Sequence, residues 1–220
     1  MERTVSANLS DEQSRDSLER ILQAATHLFA EHGYHGVSTR AIAEAVGLNV
    51  STVNYHAGSK EELYRKVFHR LFLQEFELVS RFAGYVDEAV VEDAAALRGL
   101  LERLVDGLID MTLAHPEVPR LWVRRWLERE FRFDEIETEF SLPLYEMVRD
   151  LLDRARAAGT IRADGPDLRL FLISFTWILY GYFTGGPIPW NVAHTDPYEP
   201  EQIVAFKVFL HDYICRMLDL

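Results

Sequence analysis

Asn54, Tyr55 and His56 stand side by side, and Val50, Ser51 and Thr52 come just before them. An amide, a phenol, an imidazole and two hydroxyls in so short a segment can make directional hydrogen bonds. A carboxamide can pair with an adenine edge, a hydroxyl with either base type, and a valine methyl can touch the methyl of thymine. Hydroxyl, phenol and imidazole N–H groups can also donate to phosphate oxygens and set the register on a duplex. Helical spacing puts Val50, Ser51 and Asn54 on one face, with Thr52, Tyr55 and His56 flanking it. Val53 and Ala57, four apart, point the opposite way, toward a core. Ser38 and Arg40 stand at the start of the preceding helix. Lys60 adds a phosphate-seeking cation at the start of the next one. Taken alone, Asn54-Tyr55-His56 reads equally well as solvated residues at a helix end, and Arg40 as an exposed helix charge.

A second constellation lies at 108–133, where Met111, Trp122, Trp126, Phe131 and Phe133 accompany Arg120, Arg124, Arg125 and Arg129. An aromatic-walled cavity with a few polar groups suits a small effector. The expected ligand-binding residues are Met111, Trp122, Trp126, Phe175 and Tyr180. Arg125 or Arg129 could meet an anionic ligand; alternatively these arginines pair with Glu128, Glu130 or Asp134. Catalytic signatures are missing: there is no GxGxxG, GxSxG, Walker loop or Glu-x-x-His. His32 and His35 fall across a glycine turn without acidic or thiol companions. No catalytic residue, no metal and no cofactor is therefore expected. Cys215, on an apolar helix, reads as an inert core thiol.

The elements that must position these side chains read as helices throughout. Leu18, Ile21, Leu22, Ala25, Leu28 and Phe29 form the stripe of a first helix, with Gly33 at its C′ position. Ser38 is the N-cap of a second helix that turns Ile42, Ala45 and Val46 inward and stops at Gly47. Asn49 caps a third, which Gly58 ends. Ser59 and Glu62 make a capping box for a long fourth helix carrying Leu63, Val67, Leu71 and Phe72. Further helices are predicted over 93–114, 117–130, 136–158, 166–183 and 200–219, with a Gly/Pro-rich loop at 184–200 and no strand or hairpin signal. A short helix, a glycine turn and a second short helix make a helix-turn-helix unit, whose second helix enters the major groove.

The expected fold is all-α: a flexible arm over 1–14, a helix-turn-helix DNA-binding domain over 15–60, and a helical effector-binding and dimerisation domain over 61–220. The last helix places Ile203, Phe206, Leu210, Tyr213, Met217 and Leu220 at alternating spacings of three and four, a heptad seam. Phe209, Ile214 and Leu218 form a second edge. The helix at 166–183 is apolar almost all round. Both can pair with their copies in a four-helix homodimer interface, or else fill the monomer core.

Composition narrows the classes. The chain has 220 residues, 48% of them hydrophobic, a formal net charge of −12 and one cysteine. A single cysteine excludes a disulfide framework. The polar N-terminus lacks an apolar h-region, and the longest uncharged apolar candidate, LFLISFTWILYGYF, falls short of a span, so a cytoplasmic protein without membrane contact is expected. Residues 15–70 hold seven Lys/Arg against six Asp/Glu, whereas residues 71–220 hold 15 against 26. An acidic body with a near-neutral N-terminal segment permits a local DNA contact and excludes coating by the whole surface.

Residues 18–68 resemble the DNA-binding domain of the TetR family of transcriptional regulators. The marks are AATHLFAEHGY, STRAIAEAVGL and NYHAGSKEEL. NYH together with HPEVPRLWVRRWLERE is similar to the branch with a CecR-like C-terminal domain. The resemblance implies a homodimeric regulator, in the repressor sense, that reads a near-palindromic operator in double-stranded DNA and leaves it when an unidentified small-molecule effector binds. Two positions depart from the family pattern. Ala57 replaces a large aromatic residue, so either a neighbour such as Phe29, Tyr64 or Phe68 fills the gap or the recognition helix is loose. Val37 replaces a frequent threonine, which leaves Ser38 and Arg40 to supply the contacts of the second helix. The rival readings are an activator or ligand-blind regulator, a helical ligand-binding or adaptor protein with a degenerate head, and a helical-bundle enzyme.

Overall fold

Polar side chains cut the N-terminal part of the chain into separate helices. The computed structural model describes residues 2–128, 133–162, 164–185 and 196–220, with residues 2–13 described by backbone alone. Helix α1 (Glu2–Gly36) bends at Gly33, where φ is 70° and ψ is 176°. Its helical backbone continues through residues 2–14, which were expected as a flexible arm. Ser38 caps α2 (Thr39–Val46) by accepting from the Ala41 N–H at 3.1 Å, and Gly47 ends it with φ at 70°. Asn49 caps α3 (Val50–Ala57), accepting from the Thr52 N–H at 2.8 Å. Ser59 and Glu62 form the reciprocal box that opens α4 (Lys60–Ala83). Each N-cap contributes about 1 kcal/mol.

The opposite ends of α2 and α3 are held from outside. Arg20 on α1 donates to the Val46 carbonyl at 2.7 Å, and Lys66 on α4 donates to the Ala57 carbonyl at 3.0 Å. A cation at a helix C-terminus satisfies an orphan carbonyl and complements the dipole. The two short helices are thus clamped between α1 and α4. Their buried residues are Ile42, Ala43 and Val46, then Val53 and Ala57. On α2 it is Ala43 that turns inward; Ala45, expected there, is exposed.

Ala57 is fully buried within a core shared with α1 and α4. The rings of Phe29, Tyr34, Tyr64 and Phe133 meet at centroid distances of 4.9–5.0 Å, and Phe68 joins through Tyr64. Aromatic bulk around the head therefore comes from α1, α4 and Phe133, and Ala57 itself is closed to solvent.

The body follows as α5 (Glu88–Glu92), which the sequence pattern did not reveal, α6 (Ala94–Ala114) and α7 (Glu117–Glu128). A short α8 (Asp134–Ile136) passes through a π-helical turn at Glu137–Ser141 into α9 (Leu142–Ala158). α10 (Leu168–Gly185) and α11 (Pro200–Leu218) complete it. No strand occurs among the described residues. α7 packs against both α1 and α10, α4 against α6 and α9, and α11 against α6. Arg129, Glu130, Phe131 and most of the predicted 184–200 loop lie outside the described residues.

Of the heptad seam read on the last helix, Phe206 and Leu210 are buried in the monomer while Ile203, Tyr213, Met217 and Leu220 are half-buried; Ile214 and Leu218 of the second edge are buried too, and Tyr182 stacks on Phe206 at 3.8 Å. The apolar residues that α10 and α11 expose are Leu170, Ile173, Trp177, Val204, Val208 and Phe209. Spacing finds an apolar stripe but not its partner, and here the monomer takes the stripe first. α10 is long and apolar enough to cross a membrane by length and composition; one side of it packs on α7 and α9.

Candidate nucleic-acid interface and effector cavity

The outer face of α3 carries the expected side chains. Ser51, Asn54 and Tyr55 are exposed, Tyr55 to 84%, and Val50 to 38%. The flanking residues are tied into the head. Thr52 donates its hydroxyl to Asn49 Oδ1 at 3.0 Å, and His56 Nδ1 lies 3.3 Å from the Ser14 hydroxyl on α1. The ammonium of Lys60 stands 4.1 Å over the Tyr34 ring. On α2, Ser38 is exposed although its hydroxyl oxygen serves as the cap. Arg40 is almost fully solvated and pairs with Glu44 at 2.9 Å. An exposed pair of this kind is screened by water and adds little to stability, so a phosphate can recruit Arg40 at little cost. Val37 is buried, which excludes it from a phosphate contact. The result is a short rigid helix, fastened at both ends, with a small, mixed hydrogen-bonding and apolar face toward solvent.

A cavity of about 130 Å³ lies in the body between α4, α6, α7, α9, α10 and α11. Trp122, Trp126, Phe175 and Tyr180 line it as expected, and Met111 does not. α6 faces the cavity with Leu101, Leu104, Val105 and Leu108; Met111 continues that stripe one turn further, beyond the cavity's end. Trp126 stacks between Trp122 (6.1 Å, 25°) and Tyr180 (6.0 Å, 16°). A wider surface groove of about 740 Å³ shares Trp126, Ser141, Tyr145 and Leu172 with the cavity and forms its approach. The π-helical turn lies along this approach; such turns recur at functional sites.

Sequence reading missed the most polar residue of the cavity. Glu75 is 5% exposed on α4 and accepts from Trp122 Nε1 at 3.1 Å and from the Tyr180 hydroxyl at 2.6 Å. Burial pushes its carboxyl up to about 7, against the downward pull of those two hydrogen bonds. Tyr180 is held well above the ordinary phenol range by burial and by Glu75, and Tyr145, which donates to Thr176 at 3.0 Å, is also raised by burial. A signal for Glu75 was present. It sits four residues after Leu71 and four before Val79, an acid inside an apolar stripe.

Arg125 does not await an anion. It is 3% exposed on its side chain and pairs with Glu137 at 3.0 Å and Asp134 at 3.5 Å. Arg124 donates to the Glu31 carbonyl of α1 at 3.0 Å. A Cβ at Gly33 would meet the carboxylate tip of Glu128 and crowd Arg124, and the residue's positive φ favours glycine in any case. α7 therefore touches the cavity with Trp122 and Trp126 and the end of α1 with Arg124 and Glu128. Arg65 on α4 meets Glu135 at 2.8 Å and Glu139 of the π-helical turn at 2.6 Å. Among the described residues no group of His, Cys, Asp and Glu could hold a metal ion.

Residues 21–67 match the sequence pattern of bacterial regulatory proteins of the tetR family. Over 156 residues the chain is 32% identical to the HTH-type transcriptional repressor AcnR of Corynebacterium glutamicum, covering 69% of this chain and 72% of that protein. Two solved structures share the fold. The fatty acid degradation regulator FadR from Bacillus halodurans is 16% identical with a TM-score of 0.67, over 89% of this chain and 96% of that one. A putative transcriptional regulator from Saccharomonospora viridis in complex with choline is 19% identical with a TM-score of 0.64, over 91% and 96%. At these identities the likeness speaks for the fold alone.

Proposed function

The chain belongs to the tetR family of bacterial regulatory proteins, and from that premise we propose how this DNA-binding transcriptional regulator works. Residues 15–60 act as the reading head and 61–220 as the effector-binding and dimerisation body. Two copies pair through the exposed apolar faces of α10 and α11, and their α3 helices enter successive major grooves of a near-palindromic operator. Asn54 and Ser51 address base edges, Val50 a thymine methyl, and Tyr55, Arg40 and Ser38 the phosphates. His56, Thr52 and Lys60 hold the head's shape beside the duplex. The protein acts in the cytoplasm as a repressor.

A small molecule in the cavity ends repression. It inserts beside Trp122 and Trp126, and α7 passes the displacement to the end of α1, where Gly33 leaves no slack. α4 carries the same change, because it reaches from the Ser59 cap at the head to Glu75 in the cavity. The effector must bind the off-DNA arrangement better than the DNA-bound one for this to work. The observation that carries the reading is the double contact of α7, aromatic faces on the cavity and charged side chains on α1. An adaptor with a decayed head is not favoured, since every cap of the two reading helices is in place and Ala57 is sealed.

The test is binding to a fragment from upstream of its own gene, with random competitor and a salt titration. Saturable binding that survives competitor, with log K linear in log salt, is expected. Asn54→Ala should weaken it by about 1–3 kcal/mol without changing the melting temperature. Binding no tighter than to random DNA would sink the reading.

A further inference from the structure

We propose that the cavity selects a compact organic cation, an alkyl- or arylammonium, with Glu75 as its counter-charge. This rests on reading the cavity as the effector site. The charge inventory is one-sided: Glu75 lines the cavity, and among the described residues no lysine, arginine or histidine does. Its Oε1 takes both hydrogen bonds, from Trp122 and Tyr180, and Oε2 accepts none among the described residues. An ionised carboxylate in so apolar a space is costly without a cation, and the protein supplies none there. The rest of the wall suits a cation that keeps apolar groups around its charge. Trp122, Trp126 and Tyr180 present stacked aromatic rings beside the carboxyl, and ring faces attract ammonium groups. An anion would face Glu75 with nothing to offset it. A neutral apolar molecule would fill the space and leave the carboxyl unpaired.

Proton linkage follows from the same arrangement. Glu75 titrates near 7. The groups around it are Trp122 from α7, Tyr180 from α10 and Tyr145 from α9; α6 and α11 contribute only aliphatic side chains to the cavity. The two phenols stay neutral at that pH. Binding of a permanent cation therefore expels the Glu75 proton, and its affinity rises with pH across that range.

The experiment uses the full chain without DNA and two probes of one shape, phenyltrimethylammonium and tert-butylbenzene, which carries carbon in place of the nitrogen. Tryptophan fluorescence reports occupancy at pH 6 and pH 8. At pH 8 the cation should bind about tenfold or more tighter than its neutral twin. Its affinity should fall by roughly tenfold at pH 6, while that of the twin stays level. In Glu75→Gln, which keeps an acceptor for Trp122 and Tyr180, the preference for the cation should shrink to what the aromatic rings alone supply, and its dependence on pH should vanish. Equal or weaker binding of the cation by the unaltered protein at pH 8 would overturn the proposal, as would binding of neither probe. A cation preference undiminished in Glu75→Gln, or one that still varies with pH there, would also overturn it. A protein that prefers the cation yet keeps its operator would instead break the effector reading and leave this one standing.

Discussion

The reading head and the body bury their chains in opposite ways. In the head the residues proposed to meet DNA point out, and the interior keeps two short helices still: Val53 and Ala57 are fully buried while Tyr55 is 84% exposed. In the body the residues proposed to meet an effector point in, and Glu75, Trp122 and Tyr180 are almost wholly buried. Helices as short as α2 and α3 are marginal alone, so their stability comes from caps and clamps at their ends. The helices of the body are long enough to stand on packing, and they can surround a cavity without collapsing into it. A DNA reader needs a fixed outline, and a sensor needs an interior that can be filled. Each region spends its buried residues accordingly.

That contrast can be broken most directly at Glu75. Its carboxyl is held near 7 in the folded protein against an ordinary 4.5. Between those values the folded state keeps a proton that the unfolded chain has released, so stability falls as pH rises. Below about 4.5 both states are protonated and above about 7 both are ionised, so the loss is complete near 7. The expected size is about 3 kcal/mol at most. Melting of the unaltered protein against Glu75→Gln from pH 5 to 8 measures it; parallel curves would place Glu75 in an ordinary solvated setting.

The head should answer to volume and not to charge. Ala57→Phe, which restores the family's usual aromatic, should overpack a core already filled by Phe29, Tyr64 and Phe133. A loss of about 1–3 kcal/mol is expected, with weaker operator binding. A gain in melting temperature would mean that a real gap exists beneath Ala57. Arg40→Ala should have the smallest effect on the fold, leaving the melting temperature level. The slope of log K against log salt should nevertheless drop by about one. An unchanged slope would assign Arg40 to Glu44 alone.

Legibility followed the same divide. The caps Ser38, Asn49 and Ser59, the stop at Gly47 and the outward face of α3 were all readable, because each depends on residues three or four positions apart. Where a local rule left two answers, as between Ala43 and Ala45, the packing of α2 on its neighbours chose. In the body, spacing located the helices but not their partners. The two apolar edges of α11 are apolar whether they meet this chain or a copy of it, and the monomer claimed Phe206 and Leu210 of one with Ile214 and Leu218 of the other. Met111 missed the cavity by one turn, since a helical stripe says which side a residue is on and not where along the axis the cavity ends.

The sequence by itself determined the class of the protein, the bounds of the short helix α3 and the residues on its outer face, since helix starts, stops and faces are short-range matters. Only the tertiary structure decided that Glu75 of α4 meets Trp122 and Tyr180 across separations of 47 and 105 residues. It also decided that Phe133 supports a head whose own helix ends in Ala57. Those partners are set by how whole helices pack, and the side-chain pattern of any one helix is compatible with many neighbours.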